Sequence, residues 1–429
     1  MQMNFLSTPP SFTENIASTK DLAKPAEVGF FKRTDKRWKI LFLVVFVCIA
    51  ILLAVAISDR TSSKQTRPVT VTSPLTPISP VASTLIQSAT PLNVPTLPQS
   101  LSAPVIGKKY KIAVILANFP DKKEESLSQA EINDLVFEGK FSLNNFFQEN
   151  SYNKVGFEGN KSDVYGWLTL SQPVTSCDDY KWGLEALQQV RDKGVNIDTY
   201  DYRVVLFSDY SASCPAWEHA YYGEKFVTVN VRSVSLEREM AHELGHLLGA
   251  QHAHLKRCPN GIDDDTSCQI ATTQDPYDVM AYMNYLTDFS AANKLILGWL
   301  DEKDQIMVSK SGIYEIKPLE YSSGARVVII KKPDTREVYV LSYRKRIGFD
   351  SDIQQWKQLE GISVQVIGEA NGKYWGEPVL IDANPDINFL GDVNLQDDQQ
   401  IEDIKNKLVI KQLSHDNTSV KVEIIFNLP

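Results

Sequence analysis

The chain lacks the features by which proteins bind nucleic acids or nucleotides. Its 429 residues include 44 Lys and Arg against 53 Asp and Glu, which gives a net charge of -9 and an isoelectric point near 5.3. No basic stripe with interleaved aromatic residues occurs that could form an electrostatic surface for nucleic acid. A glycine-rich phosphate loop is also absent. We therefore expect no nucleic-acid partner, and the acidic balance does not indicate a substrate.

Histidine and cysteine are scarce, at six and five residues in the whole chain. Cys48 lies within an apolar run, and four cysteines follow it: Cys177, Cys214, Cys258 and Cys268. In an oxidising compartment this even number favours two disulfides, most simply Cys177 with Cys214 and Cys258 with Cys268. Four cysteines allow three pairings, and unpaired buried thiols are the alternative.

Long apolar runs are absent except for one, the 18 residues from Ile40 to Ile57. A helix of this length spans about 27 Å, close to the thickness of one hydrocarbon core. Basic residues precede the run, so the positive-inside rule predicts a single-pass transmembrane anchor over residues 39–58. Residues 1–38 would then be a cytoplasmic tail. A cleaved secretory signal is the alternative, because Ala54-Val55-Ala56 has the form of a cleavage site.

The composition changes twice after this run. Half of residues 59–106 are Ser, Thr or Pro, which predicts an extended stalk. Strand and helix patterns then alternate over residues 107–300, as expected of a mixed α and β domain. Over residues 301–429 the apolar period becomes two, as in 362–366, which predicts an antiparallel, sandwich-like all-β domain. The predicted fold class is therefore α+β with a β-rich C-terminal domain.

Four of the six histidines lie in one short segment, HELGHLLGAQHAH, which begins at His242. The preceding residues predict a helix with a serine N-cap and one apolar face. His242 and His246 are one turn apart on the opposite side, so that both imidazoles can bind one ion. Gly249 permits a left-handed cap that ends the helix, and His252 can return as a third ligand. Three imidazoles leave one tetrahedral zinc position open for water.

The spacing of these residues, His-Glu-x-x-His-x-x-Gly-x-x-His, resembles the extended zinc signature of the metzincin metalloproteases. The wider chain, over about residues 108–350, resembles the gametolysin family and its bacterial relatives. The stretches that carry this likeness are YKIAVILANFPD, FFQENSYNKVGFEGNKSDVYGWLTL and FSAANKLILGWL. The resemblance implies a metzincin-like zinc protease domain over residues 107–300, with one catalytic zinc ion held by His242, His246 and His252.

The resemblance also implies roles for residues around the metal. Glu243 would be the general base, and Met280 would be the hydrophobic floor of the methionine turn. Tyr282 would reach the metal or the developing oxyanion, although a packed tyrosine is the more common arrangement. His254 is expected to support the ligands from behind or to be exposed, and His219 is expected to be structural. The inhibitory pro-segments of the family are not evident.

These features predict a membrane-anchored, outward-facing zinc endopeptidase whose substrates are proteins or peptides outside the cell. The lipid bilayer would be a partner through Ile40–Ile57. A second hypothesis is a stalked surface binding or adhesion protein built on an inactive protease-like scaffold, and a third is a metallopeptidase with a single surface substrate. Asp263, Asp264 and Asp265 could bind Ca²⁺, but their spacing is more typical of a solvated acidic turn.

Overall fold

We describe the fold from a computed structural model of the chain. It describes residues 107–426, except 215–217, 234, 263–265, 354–358 and 386–390. The predicted tail, anchor and stalk lie outside the described residues, as do the three aspartates of the calcium prediction. Within the described ranges, no helix is long and apolar enough to cross a membrane.

The described residues form a mixed α+β structure in which strands predominate. The α-helices are α1 (Gln129–Asn133), α2 (Leu143–Asn150), α3 (Asp179–Asp192), α4 (Leu236–Leu248) and α5 (Ala291–Ile296). The strands that precede α4 are β1 (Lys108–Asn118), β2 (Val155–Glu158), β3 (Val164–Thr169), β4 (Tyr202–Phe207), β5 (His219–Tyr221) and β6 (Phe226–Asn230). The strands that follow α4 are β7 (His254–Arg257), β8 (Gln269–Ala271), β9 (Gln305–Val308), β10 (Gly312–Ile316), β11 (Val327–Lys331), β12 (Glu337–Tyr343), β13 (Ile362–Ala370), β14 (Lys373–Ile381), β15 (Gln400–Asp403), β16 (Leu408–His415) and β17 (Val420–Phe426).

The first sheet has the strand order β2-β1-β4-β6-β5, and β3 pairs with the second half of β1. Its pairings are parallel except that of β5 with β6. Successive β1 side chains point to opposite faces. Ile112, Val114 and Leu116 pack on the side of α2 and α4, whereas the residues between them pack on the side of α3. Both faces of the sheet are thus covered, and α4 lies against one of them.

The C-terminal region is β-rich, as the sequence predicts. A four-stranded sheet (β10-β17-β16-β15) and a seven-stranded sheet (β8-β7-β14-β13-β12-β11-β9) share one apolar core. The opposite face of the larger sheet packs against α5, through side chains such as Val327 and Ile329. The expectation of purely antiparallel pairing is wrong at two places, because β9 pairs parallel with β11 and β7 with β14.

The β7–β8 hairpin comes from the first part of the chain but belongs to the second sheet. His254, at the start of β7, is aligned with Val379 of β14, and Leu255 is aligned with Leu380. The segment that carries the predicted metal ligands therefore continues directly into the C-terminal sheet. All the described residues belong to one compact unit.

Several local predictions agree with the structure. Ser128 and Glu131 form the expected capping box at the start of α1. Both expected disulfides are present, between Cys177 and Cys214 and between Cys258 and Cys268.

In β13 the alternation of apolar and polar residues does not mark one buried and one exposed face. Ser363 and Gln365 are buried like their apolar neighbours, because α5 and the preceding loop cover that face of the sheet. The side chain of Gln365 donates to Asp275 and accepts from the Ala292 N–H. The polar side chains of this strand therefore belong to a buried hydrogen-bond network.

Candidate metal centre

Helix α4 begins and ends where its capping residues predict. The Ser235 side chain accepts a hydrogen bond from the Arg238 N–H at the N-terminus. Gly249 ends the helix with φ of 111°, in the left-handed region that glycine adopts without strain. The apolar face of the helix, which includes Met240 and Leu244, is buried against the first sheet. The opposite face presents the two histidines one turn apart.

The imidazoles of His242, His246 and His252 converge on one point. The Nε2 atom of His246 lies 3.1 Å from that of His242 and 3.1 Å from that of His252. All three candidate ligand atoms lie within 4.8 Å of one another. Two nitrogens bound to one tetrahedral ion, each at about 2.0–2.1 Å, are about 3.3–3.4 Å apart. The three histidines can therefore hold a metal ion.

Hydrogen bonds set which ring nitrogen faces the shared point. His242 Nδ1 donates to the Val279 carbonyl oxygen (2.9 Å), and His246 Nδ1 donates to that of Ala250 (3.1 Å). A carbonyl oxygen only accepts, so these Nδ1 atoms carry the protons and the Nε2 lone pairs remain available. Burial lowers the pKa of His242 well below its usual range and that of His246 to about 4. Neutral imidazole is the form that binds metals.

Glu243 is buried beside this point. Its Oε1 atom lies 3.9 Å from His242 Nε2. Burial raises the pKa of Glu243 well above its usual range, and the neighbouring Glu239 and Glu218 carboxylates raise it further. The geometry thus brings a carboxyl group and three nitrogen donors together, in the combination that metal-assisted hydrolysis uses.

Met280 lies directly beneath α4. It is fully buried, and its sulfur packs against Gly245, at which a Cβ atom would lie 2.8 Å from Sδ. The Ala253 N–H donates to the Met280 carbonyl oxygen (3.1 Å), which ties this turn to the segment that carries His252. The buried Arg238 guanidinium also bonds to the Ala281 carbonyl. The turn at Met280 therefore supports the helix and the ligand loop at once.

Asn293, at the start of α5, is a supporting residue that the sequence reasoning missed. Its side chain accepts from the Gln251 N–H and donates to the Gln251 carbonyl oxygen, both at 3.0 Å. It also donates to Asp278 (2.8 Å), which accepts from the Met280 N–H. These bonds hold the backbone immediately before His252. The stretch FSAANKLILGWL, which contains Asn293, carried part of the family resemblance, so a signal was present.

Two other predicted residues, Tyr282 and His219, have their contacts with other side chains. The Tyr282 side chain is 61% exposed, with its ring 5.6 Å from the Arg238 guanidinium carbon. Its hydroxyl makes no hydrogen bond to the described residues. His219 Nδ1 lies 2.8 Å from Asp179 Oδ2, an oxygen that also accepts from Tyr221 and Thr228. These contacts give His219 a structural place between β5 and α3.

His254 is buried behind the three converging imidazoles and bonds to the C-terminal sheet. Its Nδ1 accepts from the Thr273 N–H (2.8 Å), and its Nε2 lies 2.9 Å from Glu377 Oε2. The other oxygen of Glu377 lies 4.0 Å from His252 Nδ1. Glu377 belongs to β14, and no local pattern in the sequence indicated that it would approach the histidines.

No protein-family model matches the chain, and no curated protein matches it. Among solved structures, wild-type OgpA from Akkermansia muciniphila aligns with 66% of this chain and 96% of its own, at 13% identity and a TM-score of 0.32. Catalytically inactive OgpA in complex with an O-glycopeptide (glycodrosocin) substrate aligns with the same values. Likeness of this extent assigns neither a family nor an activity to the chain.

Proposed function

We propose that this chain is a zinc-dependent endopeptidase that hydrolyses peptide bonds. The observation that carries the proposal is the convergence of three imidazole Nε2 atoms beside the buried carboxyl group of Glu243. Three neutral nitrogen donors are a ligand set of hydrolytic zinc, because they leave one coordination position for water or substrate.

Zinc held by His242, His246 and His252 would polarise the scissile carbonyl and lower the pKa of a water molecule towards 7. Glu243 accepts the proton of this water as it attacks the carbonyl carbon, and later donates the proton to the leaving amine. Its burial raises its pKa, which makes the carboxylate a stronger base and lets it keep the proton until the leaving amine takes it. His242 and His246 keep their rings oriented through their bonds to backbone carbonyls.

We further propose that the centre is of the metzincin type, with a gametolysin-like arrangement. The left-handed turn at Gly249, the return of His252 and the fully buried Met280 below the helix support this proposal. Support of the oxyanion by Tyr282 remains a prediction, because its ring lies over Arg238 and its hydroxyl makes no hydrogen bond within the described residues.

Proteins and peptides are the proposed substrates. Strand β5 is the last strand of the first sheet and pairs antiparallel with β6, with His219 opposite Thr228. It also packs near α4, the helix that carries the first two ligands. An extended peptide can bind such a strand edge through main-chain hydrogen bonds, which would align it with the centre.

We propose that the enzyme is held at the outer face of a cell membrane by residues 39–58, with the N-terminus in the cytoplasm. The apolar run from Ile40 to Ile57 and the basic residues before it support this orientation. The two disulfides support it independently, because such bonds persist in oxidising compartments outside the cytosol.

The decisive experiment measures cleavage of casein and of a peptide library by the purified full chain, with metal content determined in parallel. We expect activity that a chelator removes and zinc restores. Glu243→Gln should reduce turnover by at least about a thousandfold while the metal stays bound. Glu237→Gln, the same change on the first turn of the same helix, should retain activity.

The other possible results of this experiment distinguish the endopeptidase from the binding protein and from the peptidase of narrow specificity. Turnover by Glu243→Gln at the wild-type rate would refute the role of Glu243. A wild-type chain that binds zinc but cleaves no peptide would favour the binding or adhesion protein. Cleavage of only a few library members would favour a peptidase of narrow specificity.

A further inference from the structure

We infer that Glu377, which the C-terminal sheet supplies, is a positioning residue for the metal ligand His252, and that His254 holds Glu377 in place for this role. The inference rests on the proposed metal centre and deepens it. It assigns a function to the fourth histidine of the segment and makes the C-terminal sheet part of the active site.

His252 differs from His242 and His246 in the contacts of Nδ1, the ring nitrogen that faces away from the shared point. The Nδ1 atoms of His242 and His246 each donate to a backbone carbonyl of their own neighbourhood. His252 Nδ1 has no hydrogen bond to any described residue, and Glu377 Oε1 lies 4.0 Å from it. A metal-bound imidazole almost always donates its outer N–H to a carbonyl or carboxylate, which fixes the ring. Among the described residues, Glu377 is the carboxylate that lies within 4.0 Å of His252 Nδ1.

His254 determines where this carboxylate lies. Its Nδ1 accepts from the Thr273 N–H, so its proton is on Nε2, which donates to Glu377 Oε2 at 2.9 Å. One oxygen of Glu377 is therefore occupied by His254, and the other is directed towards His252. The Glu377 side chain is 53% exposed, so small rotations about its bonds can shorten the 4.0 Å separation.

The backbone of β14 is irregular around Glu377. Between the pairs Val366–Val379 and Gly368–Trp375, one residue of β13 lies opposite three residues of β14. Gly376, within this bulge, has φ of 91°, and Pro378 has no N–H to offer to the ladder. Such bulges redirect side chains and are frequent beside active sites. Here the bulge turns Glu377 towards β7, which pairs with β14 immediately beyond it.

The test is metal binding by the full chain in its metal-free form, measured by competition with a chromophoric chelator and by the absorption spectrum of the Co²⁺ form. Glu377→Gln should weaken Zn²⁺ binding by about 10–100-fold, the usual effect of losing such a partner, and should change the Co²⁺ spectrum. Glu402→Gln, an exposed change in β15 on the smaller sheet, should leave both unchanged.

The order of zinc affinities among the Glu377 variants distinguishes a positioning role from a simple structural role. Gln is isosteric but has a single accepting oxygen: when this oxygen accepts from His254, the NH2 group faces the His252 N–H and cannot accept from it. Asp keeps the charge and both accepting oxygens on a shorter side chain. Positioning therefore predicts that Glu377→Asp binds zinc more tightly than Glu377→Gln. The reverse order, or wild-type affinity and spectrum in Glu377→Gln, overturns the inference. A wild-type chain that binds no zinc refutes the proposed function as well, so the two failures are distinguishable.

Discussion

Met280 packs so closely beneath Gly245 that any side chain at this helix position would collide with it. A Cβ atom on Gly245 would lie 2.8 Å from Met280 Sδ and 3.0 Å from two ring atoms of Phe289. Both neighbours are fully buried. Gly245 lies between His242 and His246 in the sequence, so this contact fixes how closely the part of α4 that carries both histidines approaches Met280.

We therefore expect Gly245→Ala to destabilise the protein despite the better helix propensity of alanine. Overpacking of a buried contact costs about 1–3 kcal/mol, whereas the propensity gain is about 1 kcal/mol. The net loss in the free energy of unfolding should be up to about 2 kcal/mol in urea titrations of the metal-free chain, accompanied by weaker zinc binding.

Gly223→Ala is the matched control for this change. A Cβ atom at Gly223 would have no neighbour within 4 Å, and the residue lies on the surface. Its substitution should leave the urea midpoint and the zinc affinity unchanged. If Gly245→Ala behaved in the same way, the close packing of Met280 against the helix would be wrong.

The centre could be predicted from sequence because its main determinants are local. The N-cap at Ser235, the left-handed glycine at Gly249 and the spacing of the histidines all act within a single segment of 18 residues by count, from 235 to 252. Each such signal depends on backbone geometry that one or two residues determine. The same holds for the capping box at Ser128.

Two supporting residues, Glu377 and Asn293, could not be assigned a role from local patterns because their contacts depend on long-range pairing. Glu377 is 123 positions from His254 in the sequence and approaches it only because β7 joins the C-terminal sheet. Asn293 is 42 positions from Gln251. Neither residue has a periodicity or spacing that refers to the histidines. Strand register across such distances is set by the packed sheet, which leaves no trace in a local window.

A buried group of charged side chains predicts how stability depends on pH. Burial raises the pKa of Glu149 to about 7, that of Asp350 to about 6 and that of Glu320 to about 8. Asp350 also bonds to the buried Arg344 guanidinium, and the Phe349 N–H donates to Glu149 (2.9 Å). The group joins the end of α2 to the loop after β12.

Because these carboxyl groups have raised pKa values in the folded state, folding favours their protonated forms. Their stabilising contribution is complete below the unfolded pKa values, near 4, and is lost as the pH rises through about 6 to 8. Glu149→Gln removes one of these titrations, so its stability should decline less between pH 5 and pH 8 than that of the wild type. We expect a difference of about 1 kcal/mol, after allowance for solvent screening.

Melting temperatures of the metal-free chain at pH 5 and pH 8 measure this difference. Comparison with the wild type cancels the contribution of the metal-site histidines, whose lowered pKa values act in the opposite direction below about pH 6.5. Glu158→Gln, at an exposed position of β2, serves as the control and should follow the wild-type curve. A Glu149→Gln curve parallel to the wild type would exclude Glu149 as a contributor.

The pairing of β7 with β14 predicts that residues 107–300 do not suffice for metal binding. In a chain that ends at residue 300, Leu255 loses its partners Leu380 and Leu359 and is exposed together with the unpaired edge of β7. Exposure of one buried leucine costs about 2 kcal/mol, and His254 also loses Glu377. The segment from Gly249 to His254 should then lose its fixed position.

We expect this shortened chain to bind Zn²⁺ at least tenfold more weakly than the full chain and to show little peptidase activity. Co-expression with residues 301–429 should restore both, because the missing strand is then available to β7. Competition with a chromophoric chelator measures the affinity, and a peptide assay measures the activity. Full affinity and activity in the shortened chain alone would mean that the metal centre is complete without β14, and that the pairing of β7 with the C-terminal sheet serves stability only.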